Sequence, residues 1–185
     1  MFSRLLHLYQ FIDQTMAVLF NQFPEEVKCH RGCTDCCHAA FDLSYIEAQY
    51  LLKLFNTLPE STQKNILERS EKAQKEWQEM IDSDADPAQT RIQCPLLNNN
   101  GECDCYPARP INCRTYGVPT VINEQAHVCG LSGFEKGKSY PTINLTPLQE
   151  SLYQYSLDSA GETRGSERKP IAEIILNPED FGDEK

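Results

Sequence analysis

The sequence predicts a mainly α-helical fold: a small domain whose helices frame irregular, cysteine-rich loops, with room for one short hairpin. Three observations predict it. Apolar residues recur at three- and four-residue steps over residues 3–22, 45–57 and 60–82, which gathers each set on one helical face. No strand–helix alternation runs through the chain, so a parallel sheet with crossovers is not expected. Nine cysteines are present, and the stretch Cys29-His30-Arg31-Gly32-Cys33-Thr34-Asp35-Cys36-Cys37 holds four of them.

In chain order, Leu5, Leu8 or Tyr9, Ile12, Met16 and Leu19 or Phe20 form the face of the first helix, which Pro24 ends. Ser44-Tyr45-Ile46-Glu47 fits a capping box that starts a second helix carrying Ile46, Tyr50, Leu51 and Leu54 on one side; Pro59 breaks it. The third helix has Ile66, Leu67, Ala73, Trp77, Met80 and Ile81 as its stripe, with Trp77 a core anchor. Asp82 to Pro87 is a solvated loop. It lacks the glycine and bidentate glutamate of a calcium loop.

Beyond Cys94 the pattern changes. Asn98-Asn99-Asn100-Gly101 is a strong turn signal between short runs, hence the hairpin. Ile111 to Tyr116 suits a short helix with Pro110 at its first position, and Val118 to Ile122 an extended segment. Thr146-Pro147-Leu148-Gln149 opens another helix, with threonine as the cap. Residues 160–169 read as an exposed linker, and Ile171 to Leu176 as a last helical turn or edge strand. The expected organisation is one cysteine-cluster domain over 1–135, comprising the helix 3–22 and a cluster core over 25–130. An extension over 136–185, partly helical and partly flexible, follows.

Charge and compartment narrow the function. The net charge of −10 argues against a nucleic-acid binder, which needs a basic face. His7, Gln10, Asp13 and Gln14 interrupt the apolar N-terminus, so it does not read as a signal peptide, and no stretch approaches the ~20 apolar residues of a membrane span. The chain reads as cytoplasmic, without membrane or nucleic-acid partners. In that compartment disulfides seldom persist, and an odd cysteine count disfavours a fully paired framework.

Metal ligation is then the reading of the thiols. Cys29-x3-Cys33-x2-Cys36 lets three thiolates surround one centre, with Gly32 supplying the backbone freedom such a loop needs. Adjacent thiols diverge, so one of Cys36 and Cys37 serves a second centre or stays free. Two four-thiolate zinc sites would use eight cysteines; one four-iron cluster would use four. The irregular spacings favour a cluster over zinc knuckles. The x3/x2 spacing also marks radical S-adenosylmethionine enzymes, but the rest of the chain lacks their strand–helix repeat. His30, His38 and His127 lie close to cysteines and suit supporting roles rather than ligation. Arg109 and Arg114 flank Cys113, either offsetting cluster charge or lying on the surface.

Cys29-x3-Cys33-x2-Cys36-Cys37, then Cys94-Pro95-Leu96-Leu97, Cys103-x2-Tyr106-x2-Arg109-Pro110 and Cys113-Arg114, closely resemble the YkgJ-type cysteine-cluster proteins, which are described as zinc- or iron-chelating. The resemblance covers roughly residues 25–130. It implies metal ligation by Cys29, Cys33, Cys36, Cys37, Cys94, Cys103 and Cys113, with Cys129 as an eighth; Cys105 falls where the family more often has an aliphatic residue. Some larger relatives look like iron–sulfur-dependent lysine methylases, but no catalytic segment of theirs maps onto this chain. The expectation is a cysteine-ligated metal protein carrying an iron–sulfur cluster, 4Fe-4S in type, with a redox or metal-handling role. The alternative is a zinc-stapled helical module that binds a protein partner. A metal-dependent enzyme comes third, because it needs an open coordination position and eight thiolates suit closed sites.

Overall fold

A computed structural model describes residues 2–182. Helix accounts for 52% of it and strands come only in small groups, so the fold is mainly α. Helix α1 spans Ser3–Gln22, and buries Leu5, Tyr9, Ile12, Met16 and Leu19 along the expected stripe. Strand β1 (Asp42–Ser44) leads directly into α2 (Tyr45–Phe55), and Pro59 starts α3 (Glu60–Asp82). A four-residue helix, α4 (Ile111–Arg114), follows the cysteine loops. Strands β2 (Thr120–Ile122), β3 (Gln125–His127) and β4 (Ile143–Asn144) form a small sheet in the order β3-β2-β4. Helix α5 (Thr146–Gly165), strand β5 (Arg168–Pro170) and helix α6 (Ile171–Leu176) complete the chain's main elements.

Several local expectations shift. On α3, Leu67 and Ile81 are exposed, and Ser70 takes a buried place on the face between Ile66 and Ala73. Its hydroxyl donates back to Ile66 O at 2.9 Å, which satisfies the buried oxygen. Pro110 precedes α4 as its cap residue rather than occupying its first position. Thr146 begins α5 instead of capping it, and its hydroxyl accepts from Asn123 N at 3.3 Å. The Asn98–Gly101 turn forms, but its arms pair only through Leu97 and Cys103.

Residues 160–169 are not a linker. They finish α5 across a kink at Gly161 and enter β5, which pairs antiparallel with β1 in the register Asp42↔Pro170, Leu43↔Lys169, Ser44↔Arg168. Arg168 fixes that pairing through Asp42 Oδ1 at 2.9 Å. Leu43, Leu51, Leu52 and Ile66 share one core with Ile174 and Ile175 of α6, while α1 packs with Ile46, Ile111 and Leu152 in a second. The residues after 135 thus supply side chains to the same cores. No helix among the described residues is long and apolar enough to cross a membrane.

Glu47 joins these layers. Its buried carboxylate accepts from Ser44 N and Ser44 Oγ on one oxygen, completing the expected capping box. The other oxygen accepts from Tyr9 OH of α1 at 3.3 Å and from Ile111 N of α4 at 2.9 Å. Burial raises its pKa, although the hydrogen bonds from Ile111 and Ser44 oppose the shift.

Candidate metal centre

Three stretches of chain converge on one cavity of about 660 Å³. The first is the loop after α1. Cys33 N donates to His30 O at 3.0 Å, closing a turn in which Gly32 holds φ +91°. That angle suits glycine and strains other residues. A single 3-10 turn, Asp35–His38, then carries Cys36 and Cys37. Arg31 Nε donates to Glu102 Oε1 at 2.8 Å and ties this loop to the next stretch.

The second stretch runs alongside. Cys94 N donates to Cys37 O at 2.7 Å, and Ile92 N to His38 O at 3.1 Å, so 92–94 lies against the 3-10 turn. Beyond it, Asp104 N returns to Leu96 O at 2.8 Å and brings Cys103 beside Cys94. Arg69 of α3 holds this loop from behind, donating to Pro95 O and to Asp104 Oδ2, each at 2.7 Å. The pair is half-buried, and both loop contacts use one guanidinium.

The third stretch contains α4 and the segment to Cys129. Arg114 is a buried clamp: it pairs with Asp13 at 2.6 Å, donates to Arg109 O and Pro107 O, and lies 3.9 Å over the Tyr9 ring. These contacts hold α4, and with it Cys113, against α1. Arg109 stacks 3.7 Å over Tyr106 and lines the cavity, close enough to act on Cys36 and Cys103. Both arginines flanking Cys113 line the cavity and pair with Asp13 of α1, Arg109 at 3.9 Å and Arg114 at 2.6 Å; Arg109 in addition acts on the thiols of Cys36 and Cys103.

Cys29, Cys33, Cys36, Cys37, Cys94, Cys103, Cys113 and Cys129 all line this cavity. Cys105 does not; it is fully buried in the apolar core beside Leu43 and Leu96. Of the histidines, His30 reaches the cavity rim, while the Nδ1 atoms of His30 and His38 lie on backbone carbonyls at 2.8 and 2.9 Å; His127 is exposed on β3. Trp77 is a wall rather than a sealed core residue: with Ala73, Ile92 and Ala172 it forms the cavity's apolar side.

Asp35, inside the cysteine loop, carries contacts that sequence reasoning did not find. Its Oδ2 accepts from Tyr116 OH at 2.8 Å and from Cys129 Sγ at 3.3 Å, and its Oδ1 from Arg91 at 2.5 Å. The hydrogen bonds from Tyr116, Cys129 and Arg91 outweigh its partial burial and hold its carboxyl below the usual range. Its position between Cys33 and Cys36 was the one available signal. Gly117 matters through proximity: a Cβ there would lie 2.3 Å from Cys29 Sγ, and its φ is +98°.

The thiols influence one another strongly. Burial, followed by like charge from neighbouring sulfurs, pushes Cys29 up to about 11 and Cys94 up to about 12. Cys103 rises to about 11, chiefly through burial. Cys36 is the exception. Hydrogen bonds from Cys113 and then Cys37 lower its pKa, and those same contacts raise the pKa of both donors. Cys36 is the favoured thiolate of the trio.

A zinc ion or an iron–sulfur centre takes thiolate donors, and eight thiols on one cavity fit either group by chemistry. Among the described residues no three side chains are already disposed around a single ion. Binding of a single ion therefore requires side-chain rotation, and either group requires loss of the thiol protons. No curated protein and no solved structure matches the chain. A family model does match, over residues 28–130, and that span contains every cysteine of the cavity. With more than half its length inside that match, the chain belongs to the CxxCxxCC family, the YkgJ-type cysteine-cluster proteins, whose domain is described as zinc- or iron-chelating.

Proposed function

We propose that the cavity holds an iron–sulfur centre of the four-iron type and that the protein serves in redox or metal handling. The supporting observation is the size of the thiol-lined space. Four thiolates closing on one zinc ion leave little free volume between them, whereas about 660 Å³ bordered by eight thiols has room for a polynuclear group. Such a group, when bound, supplies one-electron transfer.

The chain's own residues suit that task. Arg109 offsets negative charge beside Cys36 and Cys103. Ala73, Trp77, Ile92 and Ala172 keep water from one side of the thiols. Arg69, Arg114 and Glu47 lock the loops that present Cys94, Cys103 and Cys113.

The test is purification without oxygen followed by iron, sulfide and zinc analysis. Expected are matched iron and sulfide, and thiolate-to-iron absorption near roughly 400 nm. A colourless protein with zinc and no iron would replace this reading with the second one, a zinc-stapled module that binds a protein partner. That second reading draws on Phe11 and Val18 of α1, seven residues apart on one face and 60% and 54% exposed.

A further inference from the structure

We infer that the eight thiols form two four-thiolate centres that meet at the Cys36–Cys37 peptide: an inner one of Cys37, Cys94, Cys103 and Cys113, and an outer one of Cys29, Cys33, Cys36 and Cys129. This rests on the part of the proposed reading by which the cavity holds thiolate-bound metal, and extends it from one centre to two.

The inner group is set by the backbone. Cys94 N on Cys37 O at 2.7 Å, together with the Leu97–Cys103 pairing, puts Cys37, Cys94 and Cys103 side by side. Glu47 on Ile111 N brings in Cys113. Cys37 and Cys113 accordingly feel the same neighbours, Cys36, Cys94 and Cys103.

The outer group follows a separate chain of contacts. Cys29 Sγ lies 3.7 Å from Tyr116 O, Tyr116 OH donates to Asp35, and Asp35 accepts from Cys129 Sγ. The sulfurs acting most strongly on Cys29 are those of Cys33, Cys129 and Cys36, in that order.

Cys36 stands at the seam. Its sulfur acts on Cys37, Cys94, Cys103 and Cys113 on one side and on Cys29 on the other. Number assigns it. A closed thiolate site takes four ligands, the inner group has four without Cys36, and the outer has three. Neighbouring residues of a 3-10 turn point roughly 120° apart, so Cys36 and Cys37 are able to serve different centres. Arg109, which acts on both Cys36 and Cys103, then sits between the two concentrations of negative charge.

The test is a titration of the reduced, metal-free full chain with Co²⁺ in the absence of oxygen, read by thiolate-to-metal charge transfer and tetrahedral ligand-field bands. The wild type is expected to saturate at two ions per chain. Cys129→Ser and Cys36→Ser are expected to stop at one, the remaining ion keeping a four-thiolate spectrum. Saturation of the wild type at one ion, or retention of both in Cys36→Ser, overturns the division. Should the variants fail to fold, the wild-type stoichiometry decides alone. No cobalt uptake at all overturns metal binding itself, whereas a one-ion result leaves that reading standing and removes only this one.

Discussion

Replacing Gly117 by alanine tests whether the backbone of the third stretch sets the position of Cys29. The new methyl would lie 2.3 Å from Cys29 Sγ, against roughly 3.5–4.0 Å for an ordinary contact between non-bonded heavy atoms. The sulfur must therefore move by more than an ångström, and it leaves its place beside Tyr116 O. Two costs add. A φ of +98° costs an alanine roughly 1–2 kcal/mol. Overpacking against the sulfur adds roughly 1–3 kcal/mol. Gly32 supplies the control, because it holds φ +91° and an added methyl there would meet nothing within 4 Å. Gly32→Ala should lose about 1–2 kcal/mol and keep its metal. Gly117→Ala should lose roughly twice as much and bind less metal, because Cys29 is displaced. Urea unfolding of the reduced, metal-free chain gives the stabilities, and elemental analysis of the loaded protein gives metal per chain. Equal losses in the two variants, with equal metal content, would refute the contact as the determinant.

Three further predictions concern single side chains. Cys36→Ser and Cys113→Ser should reduce metal content more than Cys105→Ser. The last should instead lose roughly 1–3 kcal/mol in urea unfolding, because it buries a hydroxyl in an apolar core; equal metal loss in all three would break the ranking. Glu47→Gln should destabilise by about 2–4 kcal/mol, since an amide nitrogen must face Ser44 N or Ile111 N where an acceptor stood, and a smaller change in the urea midpoint than about 1 kcal/mol would count against Glu47 as the joint of α1, α2 and α4. Burial raises the Cys105 thiol from 9.0 to about 12, so the folded chain keeps a proton that the unfolded chain has released. Its stabilising contribution is complete below pH 9 and is lost as pH rises through about 12; urea midpoints of the metal-free protein should fall over that window, and less steeply in Cys105→Ala.

The three long helices were legible because several signals agreed at each boundary. Periodicity and Pro24 bound α1, the Ser44–Glu47 box starts α2, and Pro59 separates α2 from α3. Ser70 was not legible as a core residue, because hydrophobicity says nothing of a hydroxyl satisfied by its own helix. The eight cysteines that line the cavity are those that spacing and resemblance singled out, but the residues supporting them were hidden. Asp35 gains meaning only when Arg91 and Tyr116 reach it from 56 and 81 residues away. The stretch 160–169 misled through composition: glycine signals flexibility and close approach alike, and a Cβ on Gly165 would lie 2.5 Å from Ser156 O. Strands β1 and β5, Asp-Leu-Ser and Arg-Lys-Pro, are too short to show an alternating pattern, so their pairing came from the fold alone.

That pairing also orders the protein's synthesis. Strand β1 follows the first cysteine loop closely, whereas Arg168 of its partner β5 comes 126 residues after Asp42. A growing polypeptide exposes the four thiols of the first loop long before β5 exists, so the short sheet next to that loop closes late. Every cysteine of the cavity precedes residue 130 and β5 begins at Arg168, so the β1–β5 pairing forms only after all eight thiols have been synthesised.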